Sequence, residues 1–254
     1  MTALLHAELL KVRSTRTPVG LLLLTLVFTA LTVWVNVPKV GAADLPIGLD
    51  DPDLLAVVVG GAAFGAPVVL IVLLGALSFT QEFRYGTATS TYLNEPHRAR
   101  VLVAKLLTVA ILSVVVTIVA LALSVAFGVA LIRSRDGDVT VGAQFWQTIA
   151  AGFVVMAAYG VIGVALGALV RNQIVAVVAA LFWMMLFEQV LIPEFPAFGQ
   201  WLPYGAMSAL LQLDEAWGLG GELLPAAVGG LVLAGYTAAA AALAVVVTPR
   251  RDVL

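Results

Sequence analysis

Six long stretches of the chain carry no Asp, Glu, Lys or Arg: Thr17 to Pro38, Leu54 to Gln81, Leu106 to Ile132, Val139 to Val170, Asn172 to Phe187, and Leu223 to Pro249. A charge at the centre of a bilayer is costly, and a spanning helix needs about 20 mostly apolar residues. Five of the stretches reach that length outright. The one from Asn172 reaches it only by running past Glu188 to Ile192. The pattern predicts six transmembrane helices at about 18–37, 54–79, 106–132, 145–170, 174–192 and 223–247. They form one membrane unit over residues 1–254, because no polar stretch is long enough to fold as a separate soluble domain. A seventh charge-free stretch, Phe195 to Leu213, holds Pro196, Gly199, Pro203 and Gly205. It reads as a broken, re-entrant segment, which is tolerated at membrane depth only where protein buries it.

Composition agrees. Of 254 residues, 62% are hydrophobic and 11% charged, against roughly 25% charged in soluble domains. A soluble globular protein, a disordered chain and a nucleic-acid binder are thereby excluded. With no cysteine in the chain, disulfides and thiolate metal sites are excluded too. The N-terminal apolar run from Val19 to Val37 exceeds the 7–15 residues of a signal h-region. The Val40-Gly41-Ala42 that follows is therefore expected to stay uncleaved.

Orientation follows from Lys and Arg. With the N-terminus inside, Lys11, Arg13, Arg16, Arg84, Arg98, Arg100, Lys105, Arg171, Arg250 and Arg251 face the cytoplasm, and Lys39, Arg133 and Arg135 face out. Asp44, Asp50, Asp51, Asp53, Asp136, Asp138, Glu194, Asp214, Glu215 and Glu222 all fall outside. Both termini are thus expected in the cytoplasm.

Two cytoplasmic elements stand out. Met1, Leu5, Leu9 and Val12 recur at helical spacing, so an amphipathic interfacial helix is expected, with Lys11, Arg13 and Arg16 near anionic headgroups. The loop between spans two and three reads Glu82-Phe83-Arg84-Tyr85-Gly86-Thr87, then Ala88 to Asn94, then Glu95-Pro96-His97-Arg98-Ala99-Arg100. Gly86 can break the helix that leaves span two, and Thr87 is expected to N-cap a short helix through Leu93. Pro96 helps to end that helix.

The N-terminal Glu8-Leu9-Leu10-Lys11-Val12-Arg13 start, the six spans, this loop with its Lys105, and the C-terminal Pro249-Arg250-Arg251-Asp252-Val253 together resemble the membrane subunit of bacterial type-2 ABC exporters. The resemblance implies an all-α permease subunit in the bacterial inner membrane that pairs with a second membrane subunit, identical or homologous. It also implies cytoplasmic ATPase subunits beneath, which bind ATP and Mg, with no cofactor on this chain. Family members often carry apolar residues on the short helix, where this chain reads Ala88-Thr89-Ser90-Thr91-Tyr92. The implied coupling residues are Glu82, Arg84, Gly86, Thr87, Tyr92, Leu93, Arg98 and Arg100. Tyr92 and Leu93 supply the buried contact and Glu82, Arg84, Arg98 and Arg100 its charged surroundings. On the outer side, Trp201, Tyr204 and Trp217 are ring types enriched at membrane interfaces. A gate of Trp201, Pro203 and Tyr204 is expected to cap the exit path.

Catalysis on the chain itself is not expected. The three lysines follow Leu10, Pro38 and Ala104, so the Gly-Lys pair of a P-loop is absent, and there is no H-E-x-x-H or metal-ligand cluster. A proton- or ion-coupled carrier is the main alternative, and a membrane anchor for another complex is a third reading. The carrier reading turns on Glu188, which lies about 21 Å into span five at 1.5 Å per residue. There it is either a packing or interfacial residue or an intramembrane site. Gly61/Gly65 and Gly163/Gly167 permit close helix approach, first within the subunit and alternatively between subunits.

Overall fold

The computed structural model describes residues 1–40, 48–213 and 223–248. Asp44, Asp214, Glu215, Trp217, Glu222, Arg250 and Arg251, which figure in the orientation and gate expectations, lie outside the described residues. The described chain is all-α and contains no strand. Helix α1 (Thr2–Ser14) is followed by α2 (Arg16–Asn36), α3 (Leu54–Phe64), α4 (Ala66–Arg84), α5 (Ala88–Asn94), α6 (Arg98–Arg133) and α7 (Ala143–Val170). Then come α8 (Gln173–Leu181), a π-helical turn over Phe182–Phe187, α9 (Glu188–Glu194), α10 (Pro196–Gly199), α11 (Pro203–Leu211) and α12 (Ala226–Val247). Six of these segments are long and apolar enough to cross a membrane: Arg16–Lys39, Leu54–Arg84, Arg98–Arg133, Ala143–Val170, Gln173–Glu194 and Ala226–Val247.

Three spans differ in shape from a plain helix. Span two breaks at Gly65, whose ψ of −102° separates α3 from α4. A Cβ there would lie 2.6 Å from the Gly61 carbonyl oxygen, so this glycine pair makes a kink rather than a crossing. Span three starts at Arg98, a full two turns before the expected Leu106, because Lys105 is buried and ion-paired and does not end the helix. Span five is wound into a π turn just before Glu188, a feature that recurs at functional sites and leaves no period in the sequence.

Between membrane helices there is little hydrophobic drive, so close van der Waals packing holds them together. The tightest crossing joins α4 to α7. A Cβ on Gly75 would lie 2.5 Å from the Gly160 carbonyl oxygen and 2.7 Å from the Val164 nitrogen, and one on Gly167 would lie 2.6 Å from the Ala76 oxygen. Gly163 sits directly on the Val72 backbone. The Gly163/Gly167 pair therefore packs inside the subunit. We expect Gly163→Val to push the two backbones apart and to cost about 1–3 kcal/mol or more. Thermal unfolding in detergent, followed by size-exclusion, should show a clear drop in midpoint, and an unchanged midpoint would contradict this packing.

In the described part of the segment before the last span, helix α11 is packed into the protein. It has Gly205 through Ala209 and Leu211 buried and packs on α12 and α7. A Cβ on Gly229 of α12 would meet the Ala206 oxygen at 2.7 Å.

The helix ends gather in two sets. At one end Arg84 donates to Gln173 (3.0 Å), Arg171 donates to the Thr248 carbonyl (2.8 Å), and α1 packs on α6. At the other, Arg135 reaches the Val37 carbonyl and Thr140 donates to the Pro52 carbonyl (2.7 Å). The turn from α7 to α8 takes only two residues, Arg171 in a left-handed conformation and Asn172. The Asn172 side chain accepts from the backbone N–H groups of Ile174 (3.0 Å) and Val175 (3.1 Å).

Candidate functional site

Helix α1 turns a charged face inward. Glu8 is its one buried residue, while Met1 and Leu9 of the expected apolar stripe stand exposed. Leu5 and Val12 of that stripe are partly buried, and Glu8 rather than Leu9 turns inward between them, because it finds cationic partners beneath the helix.

Those partners form a closed four-charge cluster. Lys105, only 2% exposed, donates to Glu8 Oε2 at 2.5 Å and to Glu82 Oε1 at 3.1 Å. Lys11 donates to Glu8 Oε1 at 2.6 Å and to Glu82 Oε1 at 2.7 Å. It also reaches Thr91 Oγ1 at 3.3 Å. Two acids and two ammonium groups thus tie α1, the end of α4, the start of α6 and the short helix α5 into one unit. Burial opposes the Glu8 carboxylate, but the Lys105 charge and the bonds from both lysines outweigh it and hold its pKa below the usual 4.5. Burial likewise opposes the Lys11 ammonium, yet its bonds to Glu8 and Glu82 raise it above the usual 10.5.

The pH window follows from the signs. Glu8, with a depressed native value, contributes stability that is complete above its unfolded pKa and is lost as the pH falls through the native one. Lys11, with a raised native value, contributes stability that is complete below its unfolded pKa and is lost as the pH rises through the native one. Docking of α1 should therefore be flat between the two usual values, 4.5 and 10.5, and weaken beyond either. Amide hydrogen exchange over residues 2–14 at matched intrinsic rates checks this, and a transition near neutral pH would contradict it.

The residues expected to couple to a partner divide into two groups. Glu82 is 8% exposed and faces the cluster, so it does not belong to the charged surface of the loop. Gly86 takes φ +68°, the left-handed region that favours glycine, and breaks the chain after α4 as expected. Thr87 precedes α5 but does not cap it with its side chain. Its backbone N–H instead donates to the Glu82 carbonyl (2.9 Å), because the Gly86 turn brings that carbonyl to it. Tyr92 is partly buried, with the Arg98 guanidinium 5.5 Å from its ring centre. Burial first, and the Glu82 charge second, push its phenol above the usual value.

Outward, Leu93 is 78% and Tyr85 69% exposed, and Arg84 and Arg100 are exposed as well. Arg84 stacks its charge on Tyr85 at 5.7 Å. The loop therefore presents Leu93, Tyr85, Arg84 and Arg100 to its surroundings, while Tyr92, Arg98 and Glu82 brace it from behind.

On the opposite end, Trp201 is exposed, Pro203 starts α11, and the Tyr204 backbone N–H donates to Glu188 Oε1 at 3.3 Å. Glu188 is fully buried and its Oε2 has no hydrogen-bond partner. The structure thus brings Glu188 and the Pro203-Tyr204 corner together, which their separation in sequence did not suggest. Among the described residues no group of His, Asp or Glu could hold a metal ion.

The roles of Glu8, Lys11 and Lys105 were missed from sequence alone. The available signal was Lys105, placed inside an apolar run with acids at the ends of two other helices on the same side.

A family model described as "ABC-2 family transporter protein" matches residues 4–187, more than two thirds of the chain. The match takes in α1, the α5 loop and the first four spans. No curated protein matches the chain. The chain is a multi-pass membrane protein and belongs to the ABC-2 family of transporter membrane proteins.

Proposed function

We propose that the chain is the permease subunit of a bacterial inner-membrane ABC exporter, with the α5 end and both termini in the cytoplasm. ATP hydrolysis takes place on separate cytoplasmic ATPase subunits that carry the ATP and Mg, and a second membrane subunit completes the transport path. One observation carries this reading. The loop exposes Tyr85 at the end of α4 and Leu93 on α5, and Lys11 bonds both Thr91 of α5 and Glu82, which Lys105 of α6 shares. A partner that moves α5 would therefore move two spans and the N-terminal helix with it. Trp201, Pro203 and Tyr204 then lie at the exit side. Co-purification from native membranes tests the assignment. A soluble ATPase with a Gly-Lys phosphate loop should be retained, and retention of no nucleotide-binding protein would count against it.

A second reading rests on Glu188, a buried acid whose Oε2 has no partner beside a π turn. Intramembrane acids of this kind serve proton or ion coupling in carriers. Vesicles holding the chain alone, without ATP, separate the two. Ion-driven uptake abolished by Glu188→Gln would establish a carrier, and the ABC reading expects none.

A further inference from the structure

Beneath the bend that joins α1 to α2 lies an open cavity of about 580 Å³, within the 300–1,000 Å³ range of small-molecule sites. Thr15 makes the bend in an extended conformation, and Gln81 donates across the rim to Thr17 Oγ1 at 3.0 Å. The inner wall is apolar, formed by Leu74 and Leu77 of α4 and Leu112 of α6. The mouth is lined by the four-charge cluster and by Arg16. From Gln81 to Leu74 is seven helical residues, about 10 Å at 1.5 Å per residue, so the cavity runs from the level of the headgroups into the hydrocarbon.

Charge decides the ligand. Lys11, Lys105 and Arg16 oppose Glu8 and Glu82, which leaves one positive charge at the mouth. The two lysines are taken up by the carboxylates, whereas Arg16 has no ion-pair partner among the described residues. An anionic head with a hydrocarbon tail fits a cationic mouth over an apolar wall.

We propose that this cavity binds an anionic phospholipid from the adjacent leaflet, with its phosphate on Arg16 and an acyl chain against Leu74, Leu77 and Leu112. A lipid seated there packs under α1 beside the cluster, so the position of α1 and of the α5 loop becomes sensitive to bilayer composition. The proposal needs only that the cavity lies at a membrane boundary. It therefore stands or falls independently of the ATPase partner.

The test reconstitutes the full chain in phosphatidylcholine vesicles with a trace of phosphatidylglycerol that bears a photoactivatable acyl chain. After illumination and digestion, label should concentrate on the peptides with Leu74–Gln81 and Leu112. Label at Leu231, which is 74% exposed on α12, serves as the reference for bulk lipid. Arg16→Gln, an exposed change that leaves packing intact, should lower the cavity-to-reference ratio roughly tenfold, the equivalent of one charge-assisted hydrogen bond. Ser78→Phe should abolish it by filling the space. Excess inorganic phosphate should leave the ratio unchanged, because the acyl chain contributes to binding. A ratio near one in the native chain, equal labelling by a phosphatidylcholine probe, insensitivity to Arg16→Gln, or displacement by inorganic phosphate would each overturn the proposal.

Discussion

Lys105→Met is expected to release helix α1 from the protein. In the native chain Lys105 is the one fully buried cation that both glutamates share. Without it, Glu8 and Glu82 face each other across Lys11 alone, and one buried negative charge is left without compensation. Removing one partner of a buried pair typically costs 3–5 kcal/mol. Lys11 is partly exposed and can shift toward both acids, so the lower end of that range, about 3 kcal/mol, is the expected value. The loss should fall mainly on α1, whose other contacts are few. Amide exchange over residues 2–14 should accelerate by more than a hundredfold, while α7 stays protected. The double change Lys105→Met with Glu8→Gln should recover part of the loss, because it restores neutrality. Unchanged exchange in the single variant would remove the cluster from its place as the tie between α1 and α6.

The second large effect is expected at the tip of α5. Leu93 is the most exposed large apolar side chain in the described residues, and Tyr85 on the same loop is exposed as well. Interface energy concentrates in a few residues, aromatics and Arg prominent among them. Leu93→Ala and Tyr85→Ala should each weaken ATPase association by more than about 1 kcal/mol. Tyr92 acts from behind the surface through its contact with Arg98, so Tyr92→Ala should loosen α5 as well as weaken binding. The double variant Tyr92→Ala with Leu93→Ala should then uncouple ATP hydrolysis from transport while the spans stay folded, since both residues lie outside them. Full ATPase binding by the double variant would assign coupling to another element.

The six spans were legible because a bilayer forbids unpaired charge, which leaves a signal that needs no knowledge of tertiary contacts. The break after α4 was legible for a similar reason, since Gly86 supplies a conformation that other residues avoid. What the sequence hid were consequences of pairing. Lys105 marks the edge of an apolar run and so reads as the start of span three. Two carboxylates from distant helices neutralise it, and the helix runs on to Arg98. Glu8 stands beside the apolar stripe of α1, and only its pairing with Lys105 and Lys11 turns it inward. Glu82 was placed in the docking surface by its position in the loop, and burial moves it into the brace. Gly65 shows a different limit, because the same small-residue spacing that packs α7 on α4 at Gly163 and Gly167 makes a kink at Gly61 and Gly65. Glu188 was judged from depth alone, and its bond to the Tyr204 backbone depends on a corner between α10 and α11 whose path no local pattern specifies.

The claim that α5 is the contact through which a separate ATPase drives this permease is tested most directly by a single cysteine. The native chain has none, so Leu93→Cys introduces a unique thiol at the exposed tip of the loop. In native membranes a short thiol-reactive crosslinker with a photoactivatable second arm should join position 93 to a soluble subunit that binds ATP. The same reagent on Leu231→Cys, exposed within the α12 span, should not. A crosslink at 93 that forms and shifts with nucleotide is the predicted result. Failure to capture any ATP-binding subunit at 93, together with transport by the chain in vesicles lacking ATP, would contradict the account.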